Sequence, residues 1–158
     1  MGDIVLELDP EKAPITCENF AKYVDEKHYD GTIFHRVIDN FMIQCGGFEP
    51  DMTQRPTGQG IKNEWKNGLS NARHTIAMAR LGNQPDSATA QFFINVGDNG
   101  FLDEPRDGAG YAVFGRVVEG IDVIDAIRGV KTGDRGGHGD VPKTPIVIER
   151  IEAEASSD

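Results

Sequence analysis

Cysteine is scarce in this chain: Cys17 and Cys45 are the only two, and they stand far apart. This spacing argues against a disulfide framework and against a CxxC metal or redox motif. Long apolar runs are missing as well, since no stretch approaches the roughly 18 residues that a membrane-spanning helix needs. The N-terminus lacks the pattern of a secretory signal. We therefore expect a cytoplasmic protein with no membrane partner.

Basic residues are in the minority. The chain has 16 Lys and Arg against 26 Asp and Glu, which gives a formal net charge of -10. Because polyanion binding needs clustered basic side chains, nucleic acid is not an expected partner. The four histidines lack metal-ligand spacing, and no Gly-Lys-Ser/Thr motif follows the glycine-rich segments. We therefore expect neither a metal nor a cofactor.

The chain length fits one domain. A chain of 158 residues can bury about two-thirds of its unfolded surface in a single core. No internal repeat or linker divides it. We predict a monomer with one domain over residues 1–152, followed by a flexible tail of small and polar residues at 153–158.

Alternation of apolar and polar residues predicts seven strands. They cover residues 2–8, 32–38, 41–44, 75–79, 91–96, 111–118 and 145–151. A long loop is predicted over 45–73, anchored by Trp65, and a glycine-rich loop over 133–140. Many short strands with only two helices favour an antiparallel barrel with helices over its ends.

The two predicted helices have different boundary signals. Pro14 suits the first turn of a helix that extends to about Val24, because its missing N–H would have no partner there. The second helix opens at Gly120 and ends at Gly129. The residues predicted to face the core are Cys17, Phe20, Ala21 and Val24 in the first helix, and Ile121, Ile124, Ala126 and Ile127 in the second.

The most informative stretch runs from Phe34 to Gln44 and places Arg36 among apolar and aromatic residues. An arginine keeps its charge at physiological pH and needs hydrogen-bond acceptors. An apolar groove beside it would suit an apolar ligand that has a carbonyl or amide. The alternative is a strand whose arginine points to solvent, as strand arginines usually do. Downstream, Gln91 again sets an amide beside aromatic residues.

Several blocks in a fixed order resemble the cyclophilin family of peptidyl-prolyl cis/trans isomerases, above all its compact bacterial-type cytosolic members. The blocks are Phe34-His35-Arg36-Val37-Ile38, Phe41-Met42-Ile43-Gln44, Gly46-Gly47-Phe48, Met78-Ala79, Ser87-Ala88-Thr89-Ala90-Gln91-Phe92-Phe93-Ile94-Asn95, Phe101-Leu102-Asp103 and Val113-Phe114-Gly115. The resemblance covers nearly the whole chain. It implies a mainly β fold, a closed antiparallel eight-stranded barrel capped by two helices.

The resemblance also implies residue roles. Arg36 corresponds to the catalytic arginine, which would donate to the prolyl nitrogen of a twisted amide, and Gln44 assists it by fixing the arginine and the substrate carbonyl. The other implied substrate-binding residues are Phe41, Met42, Phe93 and Leu102 as pocket walls, Gln91 as a polar contact, the backbone of Ala79 and Arg80, Phe101 where many members have tryptophan, and Tyr111 where eukaryotic members often have histidine. Proline-containing peptides and flexible or unfolded protein segments are the implied partners.

A binding module of the same fold that grips proline-containing loops without turnover is the alternative function. A redox or metal enzyme has little support from the scattered cysteines and histidines. His35 is expected to pack structurally, and Asp103 is interpreted as a loop acid.

Three departures from the family pattern lead to further expectations. Phe101 lacks the indole N–H that cyclosporin binding uses in the family, so weak cyclosporin binding is expected. Cys45 stands where close relatives generally have glycine, and a positive φ there would cost about 1 kcal/mol. Relatives usually have another short strand before Gly2, so we expect the first barrel strand to be missing and an edge to be exposed.

Overall fold

The computed structural model describes residues 1–105 and 107–154. Its strands are β1 (Val5–Leu8), β2 (Phe34–Ile38), β3 (Met42–Cys45), β4 (Thr75–Met78), β5 (Phe92–Asn95), β6 (Val113–Glu119), β7 (Thr132–Arg135) and β8 (His138–Pro142). The helices are α1 (Pro14–Asp25) and α2 (Ile121–Arg128), with a short 3-10 helix at Gly100–Asp103. The predicted mainly β fold with two helices is confirmed. The last four residues of the predicted tail lie outside the described residues.

Six strands form one antiparallel sheet in the order β1-β6-β4-β5-β3-β2, and β7 and β8 form a separate hairpin. Within the described residues these sheets do not join into a ring, so the expected closure of the barrel is not confirmed. The predicted strand 145–151 is reduced to an isolated bridge between Ile33 and Val147. Backbone bonds from Phe34 N to Ile146 O (3.0 Å) and from Ile148 N to Thr32 O (2.7 Å) flank that bridge.

The β7–β8 hairpin replaces the glycine-rich loop predicted at 133–140. Gly136 and Gly137 have φ of 57° and 82° and form its turn. Most of its residues are exposed, so no apolar alternation marks these strands in the sequence.

The six-stranded sheet is covered on both faces. Successive strand residues point to opposite faces. On one face, side chains such as Ile43, Phe92 and Ile94 join the main core with both helices. On the other face, Met42 and Phe93 belong to a second, smaller apolar cluster. This second cluster is where the predicted pocket residues gather.

Helix α1 begins at Pro14, as predicted, and a carboxylate from the long loop satisfies its first turn. Oε1 of Glu64 accepts from Thr16 N and Thr16 Oγ1, each over 2.7 Å. An anion is favourable at this end of a helix. The buried residues are Thr16, Cys17, Phe20 and Tyr23.

The predicted inner face of each helix is partly wrong. Ala21 is exposed, because Tyr23 and Thr16 complete the buried stripe of α1. Ala126 of α2 is exposed too, and Val123 packs inward with Ile124 and Ile127. In both helices the predicted alanine therefore lies outside the buried face. No helix in the described residues is long and apolar enough to cross a bilayer.

The loop between β3 and β4 corrects two expectations. Trp65 is only half-buried, with the Lys66 ammonium 5.2 Å from its ring centroid, whereas Phe48 and Asn71 are buried. Trp65 is therefore not the buried anchor. Cys45 lies in β3 with no exposed surface, and Gly46 is the residue with a positive φ, 93°. The strain expected at Cys45 is therefore absent.

Candidate active site

A single row of residues crosses the sheet from its edge to the small apolar cluster. Arg36 on β2 faces Gln44 on β3, and Gln44 faces Phe93 on β5. Phe93 in turn faces Ala77 on β4, which faces Val113 on β6. Directly opposed residues in antiparallel strands point to the same face of a sheet. Arg36, Gln44 and Phe93 therefore share one face of the sheet, as they must if they form one site.

Arg36 lies exposed between the buried residues His35 and Val37. Within residues 1–105 and 107–154, no hydrogen bond or ion pair engages its side chain. The five N–H donors of a guanidinium are therefore available at this position to solvent or to a ligand.

An apolar floor lies beside this arginine. Met42, Phe93 and Leu102 are buried there, with 2%, 4% and 7% of their surface exposed. Phe41 and Tyr111 are partly buried against them. The Tyr111 ring meets the Phe93 ring nearly edge-on, with centroids 5.9 Å apart. The sequence-predicted wall residues are thus together in one cluster.

Phe101 stands at the rim of the same cluster. It is 45% exposed, and its ring stacks on that of Phe41 with centroids 5.8 Å apart. An exposed aromatic beside a buried apolar floor is an arrangement that can cover an apolar ligand from one side.

Two amides lie next to the arginine. Gln44 Nε2 donates to Gln91 Oε1 over 2.9 Å. Gly47 makes room for this pair, since a Cβ there would lie 2.4 Å from Gln91 Nε2. Gln44 is engaged with Gln91 rather than with Arg36, so its predicted role in fixing the arginine stays a prediction for the ligand-bound state.

Ala79 and Arg80 follow β4 directly, next to the pocket. The N–H of Ala79 donates to Gln91 O over 3.0 Å, so that donor is already used within the protein. The Arg80 side chain turns to Asp107, with a separation of 2.7 Å between its Nη2 and Oδ1. Pairing of their backbone with a bound peptide stays a prediction.

Sequence reasoning missed a buried polar network behind the pocket. Asp103 Oδ1 accepts from Asn71 N and from Asn71 Nδ2, each over 2.8 Å, and Oδ2 accepts from the Ser70 hydroxyl. Asn71 Nδ2 also donates to Tyr111 O over 3.2 Å. Asp103 therefore ties the long loop to the 3-10 helix that holds Leu102, and it is more than a loop acid.

The same network continues to the other side of the pocket. Asn95 Nδ2 donates to Asn71 Oδ1 over 3.0 Å, and Asn99 Nδ2 donates to Asn95 Oδ1 and to Phe41 O, each over 2.8 Å. The signal in the sequence is Asn95 itself, a polar amide at the end of the apolar strand β5, which the structure shows to be fully buried. Buried amides need partners, so such a residue marks a network.

His35 lies on the opposite side of β2 from Arg36. It is 4% exposed, its ring centroid lies 4.5 Å from that of Phe48, and its Nδ1 has no hydrogen-bond partner among the residues that the structure describes. Burial first, and then electrostatic interaction with His138 and Arg36, lower the pKa of His35 to about 4. The ring is therefore neutral at pH 7. No group of three or more His, Cys, Asp or Glu in the described part of the chain could hold a metal ion.

Comparison with known proteins gives one family. The model of the family described as cyclophilin type peptidyl-prolyl cis-trans isomerase matches residues 1–153. A peptidyl-prolyl cis-trans isomerase of Streptomyces antibioticus is 63% identical over 151 residues, covering 94% of this chain and 90% of the relative. Peptidyl-prolyl cis-trans isomerase B of Escherichia coli is 56% identical over 153 residues, covering 95% of this chain and 93% of the relative.

A solved structure agrees in fold. The crystal structure of a Cryptosporidium parvum cyclophilin type isomerase, determined in the presence of the dipeptide Ala-Pro, superposes with a TM-score of 0.82 at 26% identity. The match covers 98% of this chain and 94% of that one. With a family match along almost its entire length, the chain belongs to the cyclophilin-type peptidyl-prolyl cis-trans isomerases.

Proposed function

We propose that this protein accelerates cis/trans rotation about Xaa-Pro bonds in peptides and in flexible or folding protein segments, with Arg36 as the catalytic group. Family membership and relatives that are named for this activity support the reaction. The observation that carries the mechanism is the row of Arg36, Gln44 and Phe93 beside the apolar cluster.

Rotation about the Xaa-Pro bond can be accelerated by a hydrogen-bond donor and requires no nucleophile. An amide resists rotation by roughly 18–20 kcal/mol because the nitrogen lone pair is delocalised, and uncatalysed Xaa-Pro exchange takes tens to hundreds of seconds. Midway through rotation the lone pair is localised on the nitrogen, which becomes a hydrogen-bond acceptor. A guanidinium N–H aimed at that nitrogen stabilises the twisted amide far more than the planar one.

The expected size of this effect follows from charge-assisted hydrogen bonding. In a site that excludes water, such a bond supplies about 2–4 kcal/mol. Since 1.36 kcal/mol is tenfold in rate, Arg36 accounts for roughly 10²–10³-fold. The unengaged side chain of Arg36 fits this role.

The remaining site residues bind the substrate in this proposal. Phe41, Met42, Phe93 and Leu102 hold the proline ring, with Phe101 and Tyr111 at its sides. Gln44 and Gln91 bind the substrate carbonyl, and the backbone at Ala79 and Arg80 lies beside the bound chain.

The test compares the wild type with Arg36→Ala in a protease-coupled assay on an Ala-Pro-Phe peptide. We expect kcat/KM to fall roughly 10²–10³-fold, while the affinity for the peptide stays within a few-fold of the wild type. Arg116→Ala is the matched control, because Arg116 is also an exposed strand arginine but pairs with Glu7 on another part of the sheet.

A non-catalytic module that binds proline-containing loops is the other outcome of this assay. No acceleration by the wild type, together with measurable peptide binding, would overturn the catalytic proposal in favour of that module.

Finer properties belong to the same proposal. We propose that cyclosporin binds weakly, because the phenyl side chain of Phe101 lacks the N–H donor of a tryptophan indole. We also propose a cytoplasmic monomer with one domain over residues 1–152 and a flexible tail at 153–158. Two buried, unpaired cysteines are compatible with a reducing compartment.

Barrel closure is the last part of the proposal. Strand β1 and the segment around Ile146 lie at opposite ends of the strand order, yet Leu6, Leu8, Ile146 and Ile148 pack against one core. The sheet therefore curls, and a further strand between its ends would complete a ring. Adding a β-strand of about eight residues before Met1 should raise the melting temperature. An unchanged melting temperature would contradict closure at this edge.

A further inference from the structure

Arg80 and Asp107 form a bidentate ion pair next to the pocket. Arg80 Nη2 lies 2.7 Å from Asp107 Oδ1, and Nη1 donates to Oδ2 over 3.0 Å. Only 2% of the Arg80 side chain and 13% of the Asp107 side chain are exposed. An arginine in this state differs sharply from the exposed Arg36.

All five N–H donors of Arg80 are used. Besides the two bonds to Asp107, Nε donates to Gly110 O over 3.2 Å, Nη2 to Ala109 O over 2.9 Å and Nη1 to Leu81 O over 3.1 Å. A guanidinium has no further donor. The Arg80 side chain therefore has no hydrogen bond left to offer a substrate.

The guanidinium also supports an aromatic wall. Its central carbon lies 4.6 Å from the centroid of the Tyr111 ring, within the range of a cation–π contact. Tyr111 in turn meets Phe93 edge-on. A continuous chain of contacts thus links the Asp107 carboxylate, the Arg80 guanidinium, the Tyr111 ring and the Phe93 ring in the pocket.

The Asp107 carboxylate is fixed by a second donor besides Arg80. The backbone N–H of Asn83 donates to its Oδ2, so the carboxylate joins the loop after β4 to residues 107–110. Hydrogen bonds from Arg80 and Asn83 lower the pKa of Asp107 to about 2. The pair therefore stays ionised at neutral pH.

We propose that Arg80 and Asp107 are positioning residues that fix the Tyr111 ring as a wall of the proline pocket. This inference rests on the proposed function of the same pocket. The pair holds the Tyr111 ring in place before the substrate arrives. Loss of the pair should therefore weaken substrate binding, whereas loss of Arg36 should slow rotation of the twisted amide.

The experiment measures kcat and KM for the Ala-Pro-Phe peptide in Arg80→Lys and Asp107→Asn. Lysine keeps the charge but cannot make the five directed bonds. We expect KM to rise about five- to tenfold, with kcat within about twofold of the wild type. Arg116→Gln removes an exposed arginine–carboxylate pair on the same sheet and should leave both constants unchanged.

A double-mutant cycle separates this role from general stability. If Arg80 acts through Tyr111, Arg80→Lys should add little to the KM of Tyr111→Leu. Additive effects, or an unchanged KM in Arg80→Lys, would overturn the inference. If Arg80→Lys does not fold, Asp107→Asn carries the same comparison, because it removes the carboxylate that holds the Arg80 guanidinium against the Tyr111 ring.

Peptide affinity measured by NMR titration distinguishes this inference from the proposed function. A wild type that binds the peptide without accelerating its isomerisation would refute catalysis alone. Equal peptide affinities of the wild type and Asp107→Asn would refute the positioning role alone.

Discussion

Gln44 on β3 donates a hydrogen bond from Nε2 to Oε1 of Gln91, and the two amides lie on the Arg36 side of the sheet. Gly47 is what permits this pairing, because a Cβ at that residue would overlap the Gln91 side chain. A glycine without a side chain thus determines where the Gln91 amide, which we propose binds the substrate, can lie.

Gly47→Ala should therefore reduce activity. The new methyl group would push the flexible Gln91 side chain aside and break its bond to Gln44. We expect kcat/KM to fall about tenfold, equivalent to the loss of about one hydrogen bond in the transition state, while the melting temperature changes little. Gly133→Ala is the control, since a Cβ there meets only Lys143 Cε at 3.5 Å. An unchanged kcat/KM in Gly47→Ala would show that the amide pair is not used.

Asp103→Asn should lower stability. The carboxylate accepts three hydrogen bonds from Ser70 and Asn71, and an amide has only one oxygen to accept them. We expect unfolding to become easier by about 1–3 kcal/mol in urea titrations. Asp98→Asn, which affects a single exposed bond from Arg73 N, should cost less. Equal losses in the two variants would contradict a special role for the network.

Phe101→Trp should strengthen cyclosporin binding. The side chain is exposed at the rim, stacked on Phe41, so a larger ring with an N–H donor can be accommodated there. We expect the inhibition constant to fall at least about tenfold. Phe101→Leu, which adds no donor, is the control. Potent inhibition of the wild type at nanomolar concentration would contradict the expectation.

His35 should make the protein less stable in mild acid. Its folded-state pKa of about 4 lies below the 6.5 of an unperturbed histidine, so the unfolded state takes up the proton first as the pH falls. Stability conferred by the neutral ring is complete above pH 6.5 and is lost progressively down to pH 4. The loss is on the order of 3 kcal/mol.

His35→Phe is the matched variant, because it keeps an aromatic ring against Phe48 and removes the titratable imidazole. We expect its unfolding free energy to vary less between pH 7 and pH 4.5 than that of the wild type. Parallel curves would refute the assignment to His35. The isomerase activity itself should be nearly flat between pH 6 and pH 8, since neither His35 nor an arginine titrates there.

The sequence predicts the strands best where apolar alternation is strong. β2 to β6 and both helices lie close to their predicted positions. The β7–β8 hairpin was missed because two glycines and exposed polar residues give no periodic signal. The inward faces of the helices were wrong at Ala21 and Ala126, because alanine fits buried and exposed positions alike.

The candidate site shows a similar division. The residues that the motif resemblance predicts as pocket walls do lie together in one cluster, but the resemblance gave no information on which contacts hold them there. The roles of Asp103 and Asp107 depend on contacts between distant loops, from Asn71 and Arg80 respectively. Such contacts leave no spacing pattern in one sequence, so only the fold reveals them.

Phe92 and Phe93 are consecutive residues of β5, and they belong to the main core and to the second, smaller apolar cluster respectively. The two clusters lie on opposite faces of the same strand, so only the backbone of β5 separates them at this point. Adjustments to interior packing that shift this strand will therefore also move the side chains of the second cluster. We therefore expect substitutions made in the main core for thermal robustness to affect the proposed peptide-binding site as well.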